Sequence, residues 1–201
     1  MQHQVSAVLL AAGSARRMGQ PKQLLPLGNR TVIEHCISTI IASRVVDIVV
    51  VLGHDAGDIS TAIHAFPVKT VFNEQQAGEM AESVRTGLTA VDPAATGILI
   101  CLADHPLVTP ETMKGLIALH EEHPESIIIP SFNRQRGHPP LFPREMLAEI
   151  FVSSSLRDVI DGHAESITYL NTDDEGVLLD MDTMDAYKEI LKKFNRGVRC
   201  L

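Results

Sequence analysis

Val5-Ser6-Ala7-Val8-Leu9-Leu10-Ala11-Ala12-Gly13-Ser14-Ala15-Arg16-Arg17-Met18-Gly19-Gln20-Pro21-Lys22 is the stretch on which the fold turns. Its first part, Val5 to Ala12, is an apolar run of the length expected for a short buried strand. The run stops at Gly13, and nothing helical can begin until past Pro21, so a loop lies between. That loop carries Gly13, Gly19, Arg16 and Arg17 and ends on Lys22. Glycines let backbone N–H groups approach a ligand, and bare amides beside guanidinium and ammonium groups suit a polyphosphate.

Two common phosphate loops are excluded by spacing. G-x-x-x-x-G-K-[ST] fails because Lys22 has no Gly before it and no Ser or Thr after it. G-x-G-x-x-G fails because the segment holds only Gly13 and Gly19. The order L-A-A-G-x-S-x-R-M-G-x-x-K does fit, with Ala15 at the serine position and Ser14 beside it. On these residues the chain resembles the nucleotidyltransferases that attach a nucleotide to molybdopterin. The double alanine resembles their cytidylyl branch, where the guanylyl branch reads L-A-G-G.

At 201 residues the chain is long enough for one full core, and a single domain over 1–201 is the expectation. With 45% hydrophobic and 21% charged residues, it has the composition of a soluble globule. A net charge of −8 argues against a nucleic-acid polymer as partner, though not against a small anion in a basic loop. Three cysteines, Cys36, Cys101 and Cys200, form no spaced pair, which fits a reducing cytoplasm. No apolar run reaches the ~18 residues of a membrane span, and the N-terminus has no basic region, so a cytoplasmic, untargeted protein is expected.

Strand-like and helix-like segments alternate. Ala7–Ala12, Asp47–Leu52, Val68–Phe72, Gly97–Leu102 and Ser126–Pro130 read as strands. Thr31–Ser43 reads as a helix, with Val32, Cys36, Ile37, Ile40 and Ile41 on one face. Thr109-Pro110-Glu111 starts another helix. Pro130–Pro143 reads as a loop-rich insertion, followed by helices at Pro143–Val152 and Leu156–Gly162. Strands near Ser166–Leu170 and Val177–Asp180 and a helix from Thr183 close the pattern. Such alternation predicts a mostly parallel sheet covered on both faces, with ligands at the carboxyl ends of its strands.

Ile98–Ala103 is a buried strand reading that ends on Asp104, as either a turn residue or a Mg²⁺ ligand. Asp180 and Asp182 stand at i, i+2 and point the same way if the segment is extended; the alternative makes Asp182 a helix cap. His120-Glu121-Glu122-His123 lacks the zinc spacing H-E-x-x-H and reads as a solvated helix end. Cys36 and Cys101 read as packing residues.

The family resemblance runs from about Val5 to Tyr187 and adds roles to these residues. It implies a Rossmann-like three-layer α/β/α sandwich with a mixed, mostly parallel sheet. It implies transfer of a cytidylyl group from CTP to a molybdopterin-type acceptor with release of pyrophosphate. Arg17 and Lys22 would hold the triphosphate, with Ser14 nearby. Backbone groups of Leu10, Ala11, Ala12, Gly13 and Gly78 would meet the cytosine, and Ser83 belongs to the same nucleotide site. Asp104, in an A-D-x-P segment with His105 where Gln or Met is common, would hold Mg²⁺ with Asp182 and Asp180. The last two sit in a segment similar to D-[IV]-D-T-P-x-D, with Met184 for Pro. Arg136 and His138 belong to a segment similar to R-G-H-P-x-L-F, which either faces the acceptor or only shapes a loop. A molybdoenzyme apoprotein is an implied partner. Transfer from GTP, transfer to another phosphorylated acceptor, and non-catalytic cofactor maturation are the rival readings.

Overall fold

The computed structural model describes residues 4–13, 21–54, 56–74 and 80–198. The opening apolar run forms strand β1, Val5–Leu10, at the centre of the main sheet. A short 3₁₀ turn, Lys22–Leu24, follows the loop, and a small hairpin of β2 (Pro26–Leu27) and β3 (Arg30–Thr31) leads into helix α1, Val32–Ala42. Thr31 and Glu34 close a reciprocal capping box there, which satisfies two otherwise orphaned amides. The buried face of α1 is Val32, Ile33, Cys36, Ile37 and Ile40. Ile41, expected on that face, is 39% exposed, because the stripe drifts with the 3.6-residue period.

Next come β4 (Asp47–Leu52), α2 (Ala56–Ile63), β5 (Lys69–Phe72), α3 (Met80–Leu88) and β6 (Gly97–Leu102). Strands β5, β4, β1 and β6 lie side by side in that order, all parallel. The chain moves from β1 outward through β4 to β5, then returns across β1 to place β6 on its other side. That reversal leaves a crevice at the carboxyl ends of β1 and β6, where open α/β sheets take their ligands.

Beyond β6 the chain forms α4 (Pro110–Glu122), β7 (Ile127–Phe132), β8 (Gln135–Arg136) and β9 (Leu141–Pro143). The segment read as loop-rich thus contributes strands. β9 runs antiparallel between β6 and β7 and makes the sheet mixed. Helix α5 (Arg144–Leu147) passes into a 3₁₀ turn, Ala148–Phe151, in place of one continuous helix. Then follow α6 (Leu156–Gly162), β10 (Ile167–Asn171), parallel to β7 at the sheet edge, and α7 (Met184–Val198).

The strand expected at Val177–Asp180 is a 3₁₀ turn, Glu175–Leu178, which corrects the sequence reading. Asp174 accounts for it: its Oδ1 accepts from the Gly176 amide, and its Oδ2 accepts from Thr109 N, Thr109 Oγ1 and Thr112 Oγ1. An apolar run held by an Asx-type turn curls instead of extending.

Alternation along the central strands divides the core into two layers. Ala7, Leu9, Val50, Leu52, Leu99 and Cys101 face α1, α2, α4 and α7. Val8, Val49, Val51, Ile98 and Ile100 face α3, α5 and α6. Among the described residues no helix is long and apolar enough to cross a membrane. His120 is fully buried beneath Gly97, where a Cβ would lie 2.6 Å from its Nε2, so of the expected solvated end only Glu121, Glu122 and His123 are exposed.

Candidate active site

The crevice is built where the β1 ladder outlives its strand. Ala11 N donates to Val51 O and Ala103 N to Leu10 O, carrying the backbone beyond β1 and β6 in register. Leu10, Ala12, Gly13, Lys22, Ser83 and Asp104 line a cleft of ≈ 190 Å³. Ala11, expected at the base as well, does not line the cleft: its methyl is packed in the core and its carbonyl accepts from Gln23. Ser83, on α3, is buried and accepts from Asn73 Nδ2 at 3.0 Å. Arg17, Ser14 and Gly78 lie outside the described residues.

Lys22 gathers the charges. Its Nζ donates to Asp104 Oδ2 at 2.6 Å and to Asp182 Oδ1 at 2.8 Å. Burial works to lower the pKa of this ammonium, but the two carboxylates outweigh it and hold the value above the ordinary lysine range. At the start of α7 it is Thr183 whose Oγ1 accepts from Ala186 N. Met181 is fully buried between exposed Asp180 and Asp182, so both acids leave the surface on the same side. Asp182 faces Lys22, whereas Asp180 acts electrostatically on His105. Asp104 and Asp182 therefore meet although their segments are not neighbouring strands.

His105 sits beside Asp104 with its Nε2 3.9 Å from Asp104 Oδ1. Its ring lies 5.1 Å from that of His138, which is carried by the segment between β8 and β9. Burial pushes both imidazoles below their ordinary value, His138 to about 4, so both are neutral near pH 7. Arg136 goes elsewhere: its Nε donates to Tyr169 Oη at 2.7 Å on exposed surface. Of the two residues expected at the acceptor, only His138 reaches the neighbourhood of Asp104.

Gln23 escaped the sequence reading. It is 1% exposed, and its Nε2 donates to both Ala11 O and Gly13 O at 3.0 Å. A glutamine beside a loop lysine has no pattern that betrays burial; only its place under the end of β1 does.

A strand running into a glycine-containing loop, a lysine between two acids and a cleft at the sheet's reversal define a nucleotide-handling α/β enzyme. A model of the MobA-like NTP transferase domain matches residues 7–167, and the chain belongs to that family of nucleotidyltransferases. The chain is similar to the bifunctional protein GlmU of Gluconobacter oxydans (strain 621H), 40% identical over 124 residues, or 60% of this chain and 26% of that protein. It thus spans about a quarter of that relative's length. Over nearly its full length it is similar to the nicotine blue oxidoreductase of Paenarthrobacter nicotinovorans, 26% identical over 93% of this chain and 96% of that one. Among solved structures, Rv0371c from Mycobacterium tuberculosis H37Rv has a TM-score of 0.85 at 29% identity, covering 96% of this chain and 100% of its own. The same protein in complex with manganese gives 0.81 at 28% identity, with the same coverage. The fold is accordingly the Rossmann-like nucleotide-diphospho-sugar transferase fold.

The similar Rv0371c is found in complex with manganese, and the residues present here fit a divalent metal. Asp104 Oδ1 is buried without a hydrogen-bond partner among the described residues, and two carboxylates already converge on one cation. Among the described residues no group of three or more His, Cys, Asp or Glu could hold a metal. One or two carboxylates completed by substrate phosphates is the coordination Mg²⁺ prefers.

Proposed function

We propose that the chain transfers a cytidylyl group from CTP to a molybdopterin-type acceptor and releases pyrophosphate. The observation that carries this reading is the Lys22 ammonium held between Asp104 and Asp182 at the mouth of a cleft walled by Leu10, Ala12 and Gly13. A phosphate oxygen of the acceptor attacks the α-phosphorus in line. A P–O bond to the acceptor forms, and the bond to the β-phosphate breaks with its electron pair leaving on pyrophosphate. The nucleophile is already anionic, so no protein base is needed, and positioning with charge neutralisation does the work. Lys22, with Arg17, binds the triphosphate and neutralises the charge that builds on the departing pyrophosphate. Asp104 and Asp182, with Asp180 beside them, would hold Mg²⁺, which supplies further neutralisation of the phosphates when bound.

The choice of CTP rests on the wall of Leu10, Ala12 and Gly13, where the Ala12 methyl takes space that a glycine would leave open. Crowding worth ~1.4 kcal/mol already gives tenfold discrimination against a larger base. The similarity to GlmU supports a second reading, in which the same chemistry acts on a different nucleotide and a different phosphorylated acceptor. Pyrophosphate release by purified protein with Mg²⁺, each nucleoside triphosphate and either acceptor separates the two. Release with CTP and the molybdopterin acceptor supports the proposal. Release only with another nucleotide or acceptor supports the second reading, and binding without any release identifies a cofactor carrier.

A further inference from the structure

We infer that Gln23 is a positioning residue for base selection: its side-chain amide clamps the backbone on both sides of Ala12 and fixes the wall against which the nucleotide base is measured. The inference rests on the cleft being the nucleotide site.

Gln23 donates both amide hydrogens, one to Ala11 O and one to Gly13 O, each at 3.0 Å. Those carbonyls flank Ala12, the wall residue that faces the cleft. Because two carbonyl acceptors face the same atom, that atom must be the nitrogen; the orientation of the amide follows from chemistry. Ala12 is confined from the other side as well. A Cβ on Gly53 would lie 2.7 Å from Ala12 O and 2.9 Å from Ala12 Cα, so Gly53 lets the end of β4 press against it. Between Gly53 and the Gln23 clamp, Ala12 can neither sink toward β4 nor swing outward.

Such restraint matters because a wall discriminates between bases only if it does not yield; sites need geometry held within about 0.5 Å. Carbonyls at the end of a strand would otherwise be free to rotate, since the ladder past Ala11 no longer fixes them. The side chain is also built for more than filling space. A purely structural core position would carry a leucine, whereas Gln23 is 1% exposed and its Oε1 has no hydrogen-bond partner among the described residues. A buried amide is costly unless it is hydrogen-bonded, and here both donors are committed to the carbonyls that flank Ala12. Gln23 directly follows Lys22 on the same 3₁₀ turn. The turn therefore delivers the phosphate-binding ammonium and the base-wall clamp from adjacent residues, in a fixed relation to one another.

The test compares Gln23→Leu and Gln23→Met with the wild-type protein by calorimetric titration of CTP, GTP, UTP, ATP and inorganic tripolyphosphate. The expected result is that the nucleotides rejected by crowding tighten by up to about tenfold while the preferred one changes little, so that discrimination falls toward one. Tripolyphosphate, which has no base, should bind as before. A merely structural role would weaken all five together; that result, or unchanged discrimination, overturns the inference while leaving the nucleotide site standing. Wild-type protein that binds tripolyphosphate but distinguishes no nucleotide overturns the base-selection reading and the inference with it. Proton exchange at the Gln23 side-chain amide of the wild-type protein keeps the test independent of how the variants fold. Slow exchange that slows further with the preferred nucleotide, but not with tripolyphosphate, is expected, and exchange at the rate of a free glutamine amide refutes the clamp.

Discussion

At the residue scale, burial outweighs neighbouring charge in setting the state of His138. Desolvation pushes its imidazole down to about 4, His105 pushes the same way, and Asp104 opposes them. The folded value lies below the unfolded one of 6.5, so between the two the unfolded chain binds more protons. The contribution of His138 is then complete above pH 6.5 and drains away as the pH falls toward 4. Up to about 3 kcal/mol is at stake. Urea unfolding at pH 7, 6, 5 and 4 should show His138→Asn losing less stability than wild type over that range; parallel curves would mean that His138 is solvated. Burial likewise pushes the Cys36 thiol up to about 12, and raises Cys101 too. Neither should react with a disulfide reagent until the protein unfolds, and peptide mapping of natively labelled protein checks this. Such properties were only half legible in the sequence. Cys36 and Cys101 announced themselves by sitting in apolar runs, whereas His120 and Gln23 are polar residues buried by tertiary contacts that leave no periodic trace.

Elements were legible wherever periodicity and local chemistry agreed. β1, β4 and β6 are almost wholly apolar runs, broken only by Ser6 and by Asp47 at the start of β4, and could be little else in an alternating chain. Reading failed where a distant side chain decided the backbone. β9 is too short to show a period and exists because β6 and β7 offer it edges on both sides. Val177-Leu178-Leu179 has strand composition, yet the Asp174 carboxylate winds it into a 3₁₀ turn while capping α4 through Thr109 and Thr112. One carboxylate thus ties the start of α4 to the segment that delivers Met181 and Asp182. Asp174→Ala should cost about 2–4 kcal/mol, because the Thr109 and Gly176 amides lose their acceptor together. Metal-dependent turnover should fall as well, through displacement of Asp182. Denaturant unfolding and an activity titration with Mg²⁺ check both, and a stable variant whose metal requirement is unchanged would show that Asp182 is positioned from α7 alone.

Across the whole molecule, Lys22 is the point where distant parts of the chain close on one another. It reaches Asp104, 82 positions away, and Asp182, 160 positions away. Carboxylates this close repel unless a cation lies between them, and in the free protein this ammonium takes that place. The same place suits a divalent ion, so the two cations compete. A triphosphate resolves the competition: it draws the ammonium toward its own oxygens and adds ligands for the metal. Nucleotide and metal should therefore raise the melting temperature together by more than the sum of their separate effects, as binding linked through one site requires. Divalent metal alone should do little to the wild-type protein. Lys22→Met removes the ammonium that both acids accept from, which should cost about 1–3 kcal/mol for a pair that is only partly buried. Mg²⁺ or Mn²⁺ alone should then restore the loss. Turnover in this variant should stay low even at saturating metal, because the donor that follows charge onto pyrophosphate is gone, a barrier of roughly 2.7–4 kcal/mol by analogy with an oxyanion donor. Thermal melts of both proteins with and without metal decide it. Tight Mn²⁺ binding by the free wild-type protein, or a Lys22→Met melt indifferent to metal, would place the divalent ion somewhere other than between Asp104 and Asp182.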